Sequence, residues 1–423
     1  MPGSRQKGRG RRVESSYLKS SIAKILNMTG FRTIMGKYNF DLDTNRRGTD
    51  SMKWDVKENE LPMWVADMDF QTAPEIIEAL QQRVAHGVFG YTDVDDDWYQ
   101  AYISWWDRRH GLKIEKDWLM FCTGVIPALS SIVRKLTTPN EKVIIQTPVY
   151  NIFFNSIVNN GCRVLENPLK YENGVYSMDF EDLEKKMSDP QASLMVLCNP
   201  HNPVSKIWSK EDLAKVGELA KKHGVIVVSD EIHCDLTAPG KEYVPFASVS
   251  ETCKDISITC IAPTKTFSIP GIQTAAIFVP NKFLRHKVWR GINTDEVAEP
   301  NVFAAHAAVA AFTKGEQWLD ELREYLFENR RIVEDYVDAN IPQLHVVRGD
   351  ATYLLWIDVS TLNISSDKLA AFIRKETGLY LSAGTAYGGT GGSFLRMNVA
   401  CTKATLEDGL ARLKKGVELF LKN

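Results

Sequence analysis

The chain has 423 residues, 51 of them basic and 53 acidic, for a formal net charge of −2. That length asks for two cores rather than one, and the balanced charge excludes a protein built on nucleic-acid electrostatics or on an acidic tail. No apolar run reaches the ~18 residues that a membrane span needs, so function is to be sought in a site. Cys122, Cys162, Cys198, Cys234, Cys253, Cys260 and Cys401 are odd in number and contain no C-x-x-C pair. They read as reduced core residues of a cytosolic protein.

Residues 1–35 begin MPGSRQKGRGRRVE, basic and Gly-rich, and continue with a Ser/Lys-rich stretch of weak helical period. They read as a disordered leader or extension; an Arg-rich targeting presequence is the alternative, and a start at Met35 would remove the whole stretch. Residues 36–75 form an aromatic-rich arm with too little periodicity to fold alone, including Leu61-Pro62-Met63-Trp64-Val65-Ala66-Asp67-Met68-Asp69-Phe70. Such an arm is expected to lie across another surface. Helix patterning starts after it, with Thr72 as the expected cap and Pro74 in the first turn.

Between residues 119 and 280 the pattern is strand, turn, helix, repeated. Apolar or β-branched runs fall at 119–122, 143–146, 163–166, 194–198, 225–229, 256–260 and 275–279. That predicts an α/β fold with a mostly parallel central sheet covered by helices on both faces, over a large domain of residues 76–315. The Ala-rich segment 302–312 reads as a buried helix. A long amphipathic helix from Glu316, two further strand patterns and a closing helix predict a smaller C-terminal α/β domain over 316–423.

Chemistry in such a fold gathers where strands end. Four ends carry it here: Thr123-Gly124 opens a helix, Asn202 sits in a Pro-locked turn, Asp230 follows an apolar run, and Lys265 follows Ala262-Pro263-Thr264. Each alone has a plain reading as helix cap, Asx-Pro turn, capping acid or surface lysine. Together they match what pyridoxal phosphate requires: an amine for its imine, an acid for its ring nitrogen, a donor for its ring oxygen and amides for its phosphate.

The motifs LPMWVADMDF (61–70), FGYT (89–92), CNPHNPV (198–204), SDEIHCDL (229–236), APTKTFSIPGIQ (262–273) and FLRMNVA (394–400) carry a resemblance over residues ~36–420. The chain resembles fold-type I pyridoxal-phosphate enzymes of the aminotransferase superfamily, and within them the MalY/PatB family of cystathionine β-lyases and cysteine desulfhydrases. The resemblance implies that Lys265 forms the imine and Asp230 pairs with the ring nitrogen. Asn202 would meet the ring oxygen, Tyr150 would stack on the ring, and His233 would lie on its oxygen side or pack behind it. Gly124, Val125 and Ile126, with Thr264, would hold the phosphate. Tyr91 would reach the phosphate of a partner subunit in a homodimer with shared active sites, and Arg396 would fork onto the substrate carboxylate.

Three positions depart from the family pattern: Ser205 and Ser268 stand where Gly and Asn are usual, and Gln273 stands where many aminotransferases have arginine. Ser205 must be accommodated by its turn or change it. Gln273 favours a lyase over a transaminase. The expected activity is β-cleavage of cystathionine or cysteine-type amino acids to thiol, pyruvate and ammonia in the cytoplasm, with no nucleic-acid or membrane partner. An aminotransferase shares the same residues, and a cofactor-bound regulatory protein is the reading from another class. The glycines of YGGTGG (387–392) read as a flexible loop rather than a nucleotide cradle.

Overall fold

The computed structural model describes residues 36–422, so the reading of 1–35 as a leader lies outside the described residues. Seven strands form the central sheet: β1 (Leu119–Cys122), β2 (Lys142–Ile145), β3 (Arg163–Glu166), β4 (Ala192–Cys198), β5 (Ile226–Asp230), β6 (Ser257–Ile261) and β7 (Ala275–Phe278). Their spatial order is β1-β7-β6-β5-β4-β2-β3, parallel throughout except for β7, which runs against both neighbours. The fold is therefore α/β with a mixed, mostly parallel sheet. Because β7 alone is reversed, the carboxyl ends of β1, β2, β4, β5 and β6 all face one edge.

Both faces of the sheet are apolar because both are covered. Val143, Ile145, Val196, Val228 and Ile277 point into one core with Val125, Leu129 and Ile132 of helix Val125–Leu136. The intervening Ile144, Met195, Leu197 and Val227 point the other way, against Leu213, Val216 and Ala220 of helix Lys210–His223. Alternation is thus present in space but invisible in hydropathy, as buried parallel strands require. All seven cysteines are unpaired and buried.

A second, antiparallel sheet is built from β8 (His345–Val347), β9 (Leu354–Asp358), β10 (Ser382–Ala383) and β11 (Phe394–Asn398), in the order β8-β9-β11-β10. Val347, Trp356 and Phe394 join it to the core that carries Leu213 and Trp208. Helix Glu316–Asn340 and helix Lys403–Phe420 pack beside it. The Ala-rich stretch is helix Ala304–Lys314, buried on its alanines.

The arm finds its surface on its own chain. Leu61–Pro62 pairs in parallel with Leu379–Tyr380, and the Asn398 and Asp69 amides bond to the carbonyls of Met63 and Ala400. Arg46 forks across Asp67 and Asp69 at 2.7 and 2.8 Å, while Lys53 and the Trp54 indole also bond to Asp69 at 2.8 Å. The expected cap is corrected: helix Pro74–His86 starts with Pro74, but its cap is Ala73 and the buried Thr72 hydroxyl has no partner among the described residues. Nor is YGGTGG a flexible loop. It folds as two tight turns, Gly384–Tyr387 and Gly389–Ser393, in which a Cβ on Gly391 would lie 2.0 Å from the Gly384 carbonyl oxygen.

The serine departures are accommodated by their own hydroxyls. Ser205 and Ser268 both adopt a left-handed backbone, at φ +56° and +52°. The Ser205 hydroxyl donates to the Leu354 carbonyl at 2.7 Å and meets the Thr352 hydroxyl at 3.0 Å, beside the buried Arg330 guanidinium. Ser268 Oγ accepts from the Met68 amide at 3.1 Å. A left-handed L-residue costs about 1–2 kcal/mol, and a buried hydroxyl bond returns about 1 kcal/mol. Ser205→Ala keeps the backbone cost and loses the bonds, whereas Ser205→Gly sheds both. Urea unfolding should therefore show the alanine variant less stable than the glycine variant by about 1 kcal/mol; equal midpoints would mean that the left-handed backbone at this position costs nothing.

Candidate active site

The sheet's carboxyl edge brings the predicted residues together. Past the strand ends the backbone ladder continues, from the Asn199 amide to the Asp230 carbonyl and from the Glu231 amide to the Cys260 carbonyl, both near 3.0 Å. These bonds hold the loops that carry Asn202, Asp230 and Lys265 in register. Lys265 lies in the short helical turn Pro263–Thr266 directly after β6 and is half-buried. Its Nζ donates to the Ala66 carbonyl at 2.6 Å. Burial and the nearby Arg396 guanidinium pull its amine down to about 8, against the opposing pull of Asp67 and Asp230. Such an amine is partly neutral, and so nucleophilic, near neutral pH.

Asp230 is buried at the end of β5, and its carboxylate accepts from the Ile232 amide at 3.1 Å. Burial pushes it up to about 6; the Lys265 charge draws it back. A buried acid with so few donors fits a protonated ring nitrogen. Across from it, Arg396 on β11 is also buried and donates to the Trp64 carbonyl at 2.8 Å and to the Asn202 amide oxygen at 3.4 Å. It has no carboxylate in ion-pair range and its Nε has no partner among the described residues. The plain reading of an arginine paired with an acid therefore fails, and a desolvated cation with a spare donor is suited to an incoming carboxylate. With its oxygen held by Arg396, Asn202 has its NH₂ group left to donate.

His233 is buried next to Lys265 and Arg396, and its Nδ1 has no partner among the described residues. Burial and those two charges lower it to about 3, so the ring is neutral. Tyr150 is half-buried after β2, close enough to Arg396 and Asp230 to feel both charges, and burial raises its phenol. Gly124 caps helix Val125–Leu136 without a side chain, which leaves the first-turn amides of Gly124, Val125 and Ile126 uncapped by any side chain; Pro127 has no amide hydrogen to add. Thr264 is buried in the lysine turn itself. Tyr91 is not brought into this cluster. It is fully exposed in the segment between helices Pro74–His86 and Asp96–His110, beside a cleft of about 900 Å³ that includes Phe89, Trp289 and Asn301 but not Lys265.

Several participants were not legible as such. Tyr353 is wholly buried, donates to the same Ala66 carbonyl at 3.0 Å and packs edge-on to His233 at 6.4 Å. Tyr387 lies under the Arg396 guanidinium at 5.0 Å, and its carbonyl accepts from the Val149 amide. Both sit in apolar or Gly-rich runs that give no polar signal. The backbone carbonyls of Trp64 and Ala66 could not be found from residue identity at all. Gln273, by contrast, is exposed at the end of a short turn.

Taken together the edge offers an amine, a buried acid, an amide donor, an aromatic face, open helix-start amides and an unpaired arginine. That set can hold an aromatic aldehyde bearing an anionic group and, beside it, an amino acid. The model of the aminotransferase class I and II family matches residues 59–413. Cystathionine beta-lyase PatB of Bacillus subtilis is 45% identical over 382 residues, which cover 89% of this chain and 99% of that protein. Cystalysin from Treponema denticola, whose structure contains pyridoxal 5'-phosphate, superposes with a TM-score of 0.87 at 32% identity, covering 90% of this chain and 99% of that one. The PLP-bound C–S lyase of Staphylococcus hominis gives 0.85 at 31%, covering 90% and 98%. With likeness of this extent in sequence and in fold, the chain belongs to the aminotransferase class I and II family.

Proposed function

We propose that the protein is a pyridoxal-phosphate-dependent C–S β-lyase that converts L-cystathionine or an L-cysteine-type substrate, with water, to a thiol, pyruvate and ammonia. The observation that carries this reading is the meeting of Lys265, Asp230 and the acid-free Arg396 at one buried edge. It is supported by 45% identity along nearly the whole of a cystathionine beta-lyase. Pyridoxal phosphate, when bound, supplies the electron sink that makes the substrate Cα–H acidic and the β-sulfur a leaving group. Lys265 would hold it covalently, Asp230 would keep a proton on its ring nitrogen, Asn202 would donate to its ring oxygen, and Tyr150 would cover its face. Gly124, Val125 and Ile126, with Thr264, would bind its phosphate, and neutral His233 would close the oxygen side.

Arg396 would bind the substrate carboxylate by exchanging the Trp64 carbonyl for a charged partner, a stronger contact for a guanidinium. That would orient the Cα–H toward Lys265, whose amine would take up the proton. Purified protein given cystathionine, cysteine, or an amino acid with a 2-oxoacid should release pyruvate with a thiol or hydrogen sulfide from the first two, and the amines that correspond to these substrates without their carboxylates, supplied separately, should not react. Amino-group exchange without pyruvate would overturn the lyase reading in favour of a transaminase, and equal reaction of decarboxylated amines would remove Arg396 from substrate binding.

The proposed role of Lys265 has a pH signature. With its amine near 8, the neutral fraction rises about fivefold from pH 7 to 8 and less than about twofold from 8 to 9. The rate at which cofactor-stripped protein captures added pyridoxal phosphate, followed by visible absorbance, should rise with pH in that manner and level off. Lys265→Ala should abolish the band; a borohydride-stable adduct in that variant would place the imine elsewhere.

The reading extends to a cytoplasmic homodimer in which Tyr91 serves the partner's site, and to a division of the chain near residue 316. The seven unpaired cysteines support a reducing compartment such as the cytoplasm. Exposed Val88, Phe89 and Tyr91 beside the 900 Å³ cleft support the dimer. The arm no longer does, since it covers its own chain. Light scattering at micromolar concentration should give twice the chain mass, and a fully active monomer would exclude shared sites.

A further inference from the structure

Behind the lysine turn, on the side away from Asp230 and Arg396, lies a second buried acid with an unusually full set of partners. Asp235 is 2% exposed and accepts from the Trp105 indole at 3.0 Å, from His110 Nε2 at 2.9 Å and from the Thr266 hydroxyl at 3.1 Å. Burial alone would raise it, but the His110 hydrogen bond and the charges of His110 and Arg109 together hold its carboxyl below the usual range. Thr266 is wholly buried and is the residue directly after Lys265. Its neighbour Phe267 stacks on Trp318 at 5.7 Å and lies 6.1 Å from Trp105, so the same indole touches both anchors of the turn. A Cβ on Gly315 would come within 2.4 Å of the Phe267 ring, so the ring packs directly against the Gly315 backbone.

The loop after β5 thus works on two faces. Asp230 and His233 look toward Lys265, while Glu231 and Asp235 look away from it. Glu231 accepts from Ser229, Tyr243 and the Phe246 amide at 2.8 to 2.9 Å, and Tyr243 packs edge-on against His110 at 4.8 Å. The outer end of this network borders a cavity of about 360 Å³ with Arg109, Glu316 and Asp320 on its wall; there Arg109 is tied to Asp320 at 2.9 Å. His110, Cys234 and Asp235 also have ligand atoms close enough to suggest a metal. Three donors already occupy the Asp235 oxygens and the Arg109 cation stands beside them, which disfavours a further cation.

We propose that Asp235 is a positioning residue: by gripping the Thr266 hydroxyl from behind, it sets the direction from which Lys265 enters the site. This rests on the reading of Lys265 as the cofactor lysine. A single helical turn of only four residues has little stiffness of its own, so its orientation must come from outside contacts. Thr266 and Phe267 supply them, one polar and one apolar. An imine's basicity depends on the twist between it and the ring it conjugates with, so a displaced lysine backbone changes a property that loss of stability alone does not touch.

The test uses the holoenzyme with Thr266→Val, which keeps the side chain's shape and loses the hydroxyl, and Thr266→Ser, which keeps the hydroxyl and loses the methyl. The valine variant should displace the pH midpoint of the visible absorbance by at least about 0.5 unit. It should also lower kcat at least about tenfold with KM for cystathionine within about twofold, since small misplacements of reacting groups cost up to 10²-fold. The serine variant should restore the wild-type midpoint. Asp235→Asn, which keeps an acceptor but not the charge, should fall between them. A wild-type midpoint and kcat in Thr266→Val, with only a lower melting temperature, would overturn the proposal. Borohydride reduction and peptide mass separate the two readings: label on Lys265 with an unmoved Thr266→Val midpoint sinks this inference alone, and label on another lysine sinks the lysine assignment and this inference with it.

Discussion

The constraint that governs this molecule is that a lysine, an arginine and an aspartate must be kept out of water at one sheet edge without neutralising one another. A close Lys265–Asp230 or Arg396–acid pair would be stable and useless, because the charges would already be spent. The chain instead feeds its cations with backbone. Five successive residues of the arm present carbonyls to donors: Trp64 to Arg396 and Ser382, Val65 to Asn398, Ala66 to Lys265 and Tyr353, Asp67 to Asn398 and Lys53, and Met68 to Arg46. A carbonyl satisfies a buried N–H without cancelling its charge, so an incoming carboxylate still finds a cation to bind.

That use of the arm explains why the arm itself is so heavily pinned. A strand with so many of its carbonyls turned toward one site cannot also sit in a regular sheet, and Leu61–Pro62 is the only strand pairing it makes among the described residues. Arg46 and Lys53 brace Asp67 and Asp69 within the arm, and its hold on the body comes from the Phe40 and Phe70 rings, which meet Tyr325 at 5.5 Å, and from Ser268, which takes the Met68 amide. Ser268 is one of the departures from the family pattern, and its hydroxyl links the loop after Lys265 to the arm over it. The lysine turn is thereby gripped by Asp235 from behind and by the arm in front.

What could be read from the residues followed from how local its cause is. The parallel sheet was legible because strands buried on both faces must be apolar runs, and each predicted run lies within two residues of an observed strand. The polar residues at their ends were legible because the connection rules put those ends on one edge. Tyr353 and Tyr387 were not, since a tyrosine in an apolar stretch looks like core, and only tertiary packing turns its hydroxyl or its face toward a charge. Thr72 failed as a cap for a related reason: a preceding hydroxyl and a following Pro74 are necessary for that reading, but the backbone at Ala73 decides which residue stands at the helix start. The destination of the arm was beyond sequence altogether, because an aromatic irregular segment fits its own chain and a partner's equally well.

Tyr91 marks where one chain's geometry stops. Every other predicted contact lies on a strand end, in the lysine turn or on the second sheet, and each is buried or half-buried; Tyr91 alone stands fully in solvent, among exposed Val88 and Phe89. Exposing three large apolar side chains on one short segment forfeits about 25 cal/mol for each Å² left in water, which a folded chain avoids unless something covers the segment. The closed edge around Lys265 and the open loop at Tyr91 therefore obey the same rule. Where the chain could cover its own reactive groups it did so with backbone carbonyls, whereas the aromatic loop at Tyr91 stays bare among the described residues, and the cover proposed for it is a second copy of the chain.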